Sequence, residues 1–171
     1  MAGTFSFDLE GAINSIASLE DAITTPTPGI TNSYTYGNNP AEITDPAAFP
    51  AIVHIPLGPT TEASGTQGLI THQTYQLAYS IQSTALFVET VGDAYPADET
   101  ASNLFWKSIS EVFFNQANRL TLVAAAGAGV HSYRCEFPAR SYDVRRWPPV
   151  TQSTHSYWSL QYTHVFIFAG G

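Results

Sequence analysis

The chain has 171 residues, 44% of them hydrophobic and only 12% charged, with a net charge of −8. Soluble domains usually carry roughly 25% charge, so much of this surface must be Ser, Thr, Asn, Gln and backbone, as suits a subunit whose faces are covered by neighbours. The acidic balance disfavours nucleic-acid binding except through a local patch, and the single cysteine, Cys135, excludes an intrachain disulfide. The charge is divided unevenly: residues 1–118 hold twelve acids and one base (Lys107), net −11, and residues 119–171 hold five Arg and two acids, net +3. A length of this order points to one domain spanning 1–171.

MAGTFSFDLEG at the start has no basic n-region or long apolar h-region, so a chain kept in a cytoplasm, or leaving it without a signal, is expected. Over residues 8–23, Leu9, Ala12, Ile13, Ile16, Ala17 and Ile23 recur at spacings of three and four, which predicts an amphipathic helix capped by Ser6 or Asp8. A long connection, 24–48, holds TTPTPG, Tyr34, Tyr36 and Gly37, with room for one short strand. Phe49–Leu57 (FPAIVHIPL) reads as a strand that ends at, or lies near an edge beside, Pro50 and Pro56. The stretch 58–70, rich in Gly, Ser and Thr, is too long for a tight turn and reads as a flexible arm. Thr71–Val88 then alternates from Tyr75 through Leu77, Tyr79 and Ile81, predicting a long strand with that parity buried.

After Val88, GDAYPADETAS is a turn into a second helix capped by Asp98 or Ser102. Its apolar stripe is Ala101, Leu104, Phe105, Ile109, Val112 and Phe113. Trp106 and Phe114 fall beside that stripe and suggest a second packing partner. Arg119–Val123 reads as a strand, AAAGAG as a turn, and Val130–Phe137 as a strand with His131, Tyr133, Cys135 and Phe137 on one face. A second long loop, 138–156, precedes a closing strand, Tyr157–Phe168, with Trp158, Leu160, Tyr162, His164, Phe166 and Phe168 on one parity. The expected architecture is α+β: an antiparallel sheet of four to five strands, two helices on one face and a long hairpin arm.

No strong catalytic motif is present: no G-x-S-x-G, no phosphate-binding glycine loop, no HExxH and no cysteine pair for zinc. Catalytic residues, cofactors and metals are accordingly expected to be none. Of the histidines, His54, His131 and His164 lie on different predicted strands, and none pair at i,i+4 on a helix; hydrogen-bonded strand histidines are expected over a metal site. Cys135 reads as a small core hydrophobe. The most unusual surface cluster is Arg140, Tyr142, Arg145, Arg146 and Trp147. Arginine interleaved with aromatics can bind nucleic acid. With an acidic front and an arginine-bearing back, a head-to-tail contact between identical subunits through Arg140, Arg145, Arg146 and Trp147 fits better. The longest uncharged apolar run, Leu120–Val130, is about 11 residues, so no membrane-spanning helix is expected.

The order of elements resembles the tail terminator (tail completion) proteins of tailed bacteriophages. The segments that carry the resemblance are the first helix, the Pro-flanked FPAIVHIPLG, the arm and alternating strand TQGLITHQTYQLAYSIQ, the helix ASNLFWKSISEVFF and the paired strands HSYRCEF and SYWSLQYTHVFIF. The chain departs from that pattern in its 24–48 connection and its Arg-rich 138–156 loop. The resemblance implies a structural, non-enzymatic virion protein, assembled in the host cytoplasm. It would form a homo-oligomeric ring, hexameric in that family, at the head-proximal end of the tail, with another neck or tail tube subunit as an alternative station. The ring would meet the tail tube protein and the neck connector, with DNA passing through unbound. The arm residues Pro59, Thr60, Thr61, Glu62, Ser64, Gly65, Gln67 and Gly68 would reach the partner. The alternative from another class is a ligand-binding or enzymatic domain whose pocket is lined by Tyr75, Tyr79, Tyr133, Tyr162 and His164.

Overall fold

A computed structural model describes residues 6–25, 29–40, 43, 45–64, 74–89, 95–137 and 156–168. Helix α1 spans Leu9–Asp21, strand β1 Asn32–Ser33, a 3-10 turn Pro46–Ala48, β2 Ala51–Ser64 and β3 Thr74–Glu89. Helices α2 (Tyr95–Phe114) and α3 (Gln116–Ala125) follow, then β4 (Val130–Glu136) and β5 (Ser156–Phe168). The fold is α+β: a five-stranded curled sheet in the order β1-β2-β3-β5-β4, antiparallel except for β1 on β2, with three helices packed on it.

Asp8 caps α1, its carboxylate accepting from the Gly11 N–H at 2.8 Å. The predicted stripe is the buried one: Ala17 is buried, and Ala12, Ile13, Ile16 and Ile23 enter the main core with Ile52, Ile81, Ala85, Phe105, Ile109, Phe113, Tyr162 and Phe166. Helices α1 and α3 touch so closely that a Cβ on Gly11 would sit 2.5 Å from the Ala125 carbonyl oxygen. Ala126 caps α3 and Gly127, at φ 104°, turns the chain out of it. That placement lets the Ala126 carbonyl accept from the Asp8 N–H at 2.9 Å.

Several expectations are corrected. Arg119–Val123 is helix, not strand. Asn115 caps α3 through bonds from the Ala117 and Asn118 N–H groups, and five apolar-leaning residues were too few to separate a short strand from one helical turn. Helix α2 begins at Tyr95, ahead of Asp98 and Ser102, with Pro96 tolerated in its first turn. Leu104 is exposed rather than part of the buried stripe. The extra partner suggested by Trp106 and Phe114 is Phe137, whose ring lies 4.6 Å and 5.4 Å from theirs. On β4 a register shift between Val130 and Ser132 buries Val130 and leaves His131 exposed, so the predicted face begins only at Tyr133.

β2 does not stop at Pro56 but runs to Ser64, through a bulge at Leu57 and a left-handed Gly58 (φ 91°). The Ile52 carbonyl accepts from the Tyr34 N–H, so with period two His54 and Pro56 face the same outer edge. Ile81 and Tyr79, two apart on β3, face Pro56 and Pro59, which places both prolines at that ladder phase, where no donor to β3 is needed.

The predicted flexible arm is therefore half strand. Pro59, Thr60, Thr61, Glu62 and Ser64 lie in β2, paired with Thr74–Tyr79, whereas Gly65, Gln67 and Gly68 lie outside the described residues. β5 pairs with β3 only from Ala78 onward. Thr61–Ser64 and Thr74–Leu77 thus form a two-stranded ribbon with no third strand beside it among the described residues. Leu77 keeps the predicted parity but stands on this ribbon, 36% exposed, and not in the core. On the opposite sheet face a smaller cluster joins Ile43, Ala51, Val53 and Leu86 to Tyr34, Ala48 and Phe49. No helix among the described residues is long and apolar enough to cross a membrane.

Candidate functional site

The chemistry of this molecule is concentrated in its core. Glu20, in the last turn of α1, is wholly buried. Its Oε2 accepts from the Ser33 hydroxyl (β1) at 2.5 Å and its Oε1 from the Tyr162 hydroxyl (β5) at 2.6 Å. His54 of β2 brings Nε2 within 3.3 Å of Oε2 and 3.0 Å of Ser33 Oγ. Its Nδ1 lies 2.9 Å from Ser83 Oγ on β3, and that oxygen lies 2.9 Å from His164 Nε2 on β5. His164 Nδ1 is 2.7 Å from the Tyr133 hydroxyl on β4. One unbroken chain of side-chain hydrogen bonds thus crosses all five strands in their spatial order, Ser33–His54–Ser83–His164–Tyr133, and the carboxylate of α1 anchors one end.

The elements place these groups by simple registers. His54 and Ser83 are direct cross-strand partners on the helix-facing side, and His164 is diagonal to Ser83 because it pairs with Ile81. The Asn39 side chain fixes the outer edge at His54, accepting from its N–H and donating to its carbonyl. The Arg119 guanidinium of α3 donates to the Tyr133 carbonyl through Nε (3.2 Å) and Nη2 (2.8 Å), holding β4 at the far end. From α2 the Phe113 ring meets His164 edge-on at 4.7 Å, so that side of the network is apolar.

A buried charge survives only when paired and hydrogen-bonded. Burial alone would raise the carboxyl of Glu20. The electrostatic pull and hydrogen bond of the His54 imidazole, the pull of the His164 imidazole and the bond from Ser33 outweigh it and hold Glu20 below its ordinary value. Desolvation pushes His164 down to about 3, despite the opposing pull of Glu20, so its ring stays neutral. Burial, with neighbouring negative groups, drives the Tyr133, Tyr162 and Cys135 protons well up, so all three remain protonated. With Glu20 ionised, one sense of donation satisfies every group: Tyr133 to His164 Nδ1, His164 Nε2–H to Ser83, Ser83 to His54 Nδ1, and His54 Nε2–H with Ser33 to the carboxylate.

Ser83, His54 and Glu20 carry the residue types of a nucleophilic triad, but all three are sealed from solvent, and a substrate carbonyl has no approach to Ser83 Oγ. The tyrosines expected around a pocket are likewise packed. Tyr133 and Tyr162 are buried with their hydroxyls occupied, and Tyr79 stacks on Phe7 at 4.3 Å. The side chain of Tyr75 lies outside the described residues. Among the expected histidines, His54 and His164 converge through Ser83, His131 is exposed, and His72 and His155 lie outside the described residues. No group of three metal-ligating side chains is found among the described residues. The interface residues Arg140, Arg145, Arg146 and Trp147 also fall outside them.

Sequence reasoning passed over Glu20 and Ser83. Glu20 had a signal: it falls three and four residues after Ala17 and Ile16, inside the apolar stripe of α1, and at the helix end where the dipole repels a carboxylate. Ser83 continues the Tyr79–Ile81 parity toward Ala85 and Phe87, a hydroxyl in an apolar file. No protein-family model matches this sequence, and no curated protein matches it.

Proposed function

We propose that this protein is a structural virion subunit that forms a ring, hexameric in our reading, at the head-proximal end of a phage tail. In that role it ends the tail tube, joins it to the neck connector and lets DNA pass without specific binding. The observation that carries the reading is the two-stranded ribbon Thr61–Ser64/Thr74–Leu77, which outruns the sheet and holds Leu77 partly in solvent. A two-stranded ribbon alone is marginal in water and gains stability against a partner. The sparse charge and its bipolar division add support, because a cyclic head-to-tail contact needs two different complementary patches. The sealing of every group in the buried network favours an assembly role over a pocket enzyme, and the ordered resemblance of elements is the support for this station in the virion over another neck or tail tube position.

Native mass measurement of the full chain, alone and mixed with a phage tail tube protein, tests the proposal. A ring-sized multimer is expected. Arg145→Glu with Arg146→Glu should give a folded monomer. A chain that stays monomeric both alone and in the mixture refutes the reading.

A further inference from the structure

A sheet edge is a row of N–H and C=O groups onto which another chain can add a strand, and lysine is a common guard against that. The one lysine of this chain, Lys107, stands on α2. The edge strands carry little charge of their own: β2 has only Glu62, and on β4 Arg134 and Glu136 pair with each other at 2.7 Å. Strand β1 covers β2 only at Ala51 and Ile52, and beyond it β2 is itself the edge. At His54, the next residue to face outward, Asn39 stands in for a strand. Its Oδ1 accepts from the His54 N–H at 3.4 Å and its Nδ2 donates to the His54 carbonyl at 2.5 Å. The preceding turn delivers it there: Asn14 of α1 accepts from the Tyr36 N–H at 2.9 Å, Asn38 bonds to Thr35 through its N–H and its side chain, and Gly37 is left-handed (φ 77°). The next outward positions are Pro56 and Pro59, which have no N–H, with the bulge at Leu57 between them.

The far edge follows by parity. Opposite residues of an antiparallel pair either exchange both backbone bonds or both turn away. His54 turns outward to Asn39, so Ser83 turns toward β5 and its partner Tyr162. Tyr162, and His164 two residues on, therefore turn away from β4. Cys135 opposite His164, and Tyr133 two residues before it, in turn point their N–H and C=O groups out of the sheet. Arg119 of α3 takes the Tyr133 carbonyl there with two donors, Nε at 3.2 Å and Nη2 at 2.8 Å. At the start of the same strand the Val130 N–H donates to the Gly127 carbonyl at 3.3 Å.

We propose that Asn39 and Arg119 are strand stoppers: each fills a backbone hydrogen-bonding position that an added strand would use, and together they deny both edges of the sheet body to a second copy of this chain. Contacts between copies are left to side-chain surfaces and to the ribbon beyond the sheet. A chain with only 12% charged residues has little repulsion to keep unassembled copies apart, so closed edges matter more to it than to an ordinary soluble domain. The inference does not depend on the ring reading. A ring that forms unchanged in every variant below would leave that reading standing while the stoppers fail, and a monomeric wild type whose variants grow would do the reverse.

The test is the size of the full chain in solution, followed by light scattering, with infrared spectroscopy reading any sheet formed between molecules. The wild type should hold one size as its concentration rises, whatever that size is. Asn39→Ala and Arg119→Met, which remove the stopping groups, should grow with time and concentration and gain the intermolecular-sheet signal. The double variant should grow faster than either. Arg119→Lys keeps a donor for the Tyr133 carbonyl and should behave as wild type. Variants that are folded by circular dichroism yet keep the wild-type size and spectrum overturn the proposal. Should Asn39→Ala fail to fold, amide hydrogen exchange in the unaltered chain decides at that edge. With Asn39 filling the position, the His54 N–H should exchange more slowly than an open edge amide by about tenfold, the worth of one hydrogen bond. Exchange at the rate of an open amide overturns the assignment.

Discussion

Glu20→Gln removes one charge and almost no volume, which makes it the sharpest probe of what holds α1 to the sheet. The carboxylate accepts from Ser33 at 2.5 Å, Tyr162 at 2.6 Å and His54 at 3.3 Å, all without solvent. A hydrogen bond to a charged group is worth about 1 kcal/mol more than a neutral one, so three such bonds lose about 3 kcal/mol together. The amide adds a second difficulty, since its NH2 must face a donor: either Tyr162, or Ser33 with His54. For a chain of this size that loss corresponds to a fall of about 6–12 °C in melting temperature. Thermal unfolding followed by circular dichroism reads it, with Glu10→Gln on the exposed face of α1 as control, expected to stay within about 0.5 kcal/mol. A Glu20→Gln protein that melts with the wild type would show that the carboxylate is not ionised in the core, and the argument built on its pairing would fail.

Stability should fall on acidification. Folded His164 stays neutral to about pH 3, whereas an unfolded histidine takes up its proton near 6.5. The unfolded state therefore binds more protons throughout that window, and stability drops by roughly 1 kcal/mol per pH unit as pH falls. The lowered Glu20 carboxyl acts in the same direction at the acid end: its contribution is present above the ordinary carboxylate value and is lost as pH falls through the folded one. Urea denaturation at a series of pH values should show this slope, and His164→Gln should flatten its upper part; an unchanged slope counts against the assignment. Leu77→Ala on the exposed ribbon should cost under about 1 kcal/mol, whereas Phe113→Ala at the centre of the core should cost about 3–5 kcal/mol. Equal losses from the two would contradict the placement of the ribbon outside the core.

How much of this was legible from residues alone depends on how far each feature reaches along the chain. α1 and the parity of β5 rest on local periodicity and were readable from it; on β3 the expected file is buried at Ile81 and beyond but exposed at Leu77, and the opposite file buries Ala78, Ser80, Thr84 and Leu86 as well. Arg119–Val123 failed because helix and strand differ little over five residues, and the deciding signal, Asn115 as a cap, lies outside the segment. His131 was misplaced by one bulge, since a single extra residue moves a side chain to the other face. The network was hidden for another reason. Its links join residues 29, 81 and 142 positions apart, and only the pairing register decides which serine lies between which histidines.

That reach also orders events in time. During synthesis Glu20 appears in the first helix, whereas Tyr162 and His164 belong to the last strand. Until β5 is in place, docking α1 on a partial sheet would strand a carboxylate in an apolar setting with two of its neighbours absent, which is strongly unfavourable. The helix is thus discouraged from closing early over an incomplete core. A nascent chain built this way waits, and then shuts as one unit when the final strand slides between β3 and β4.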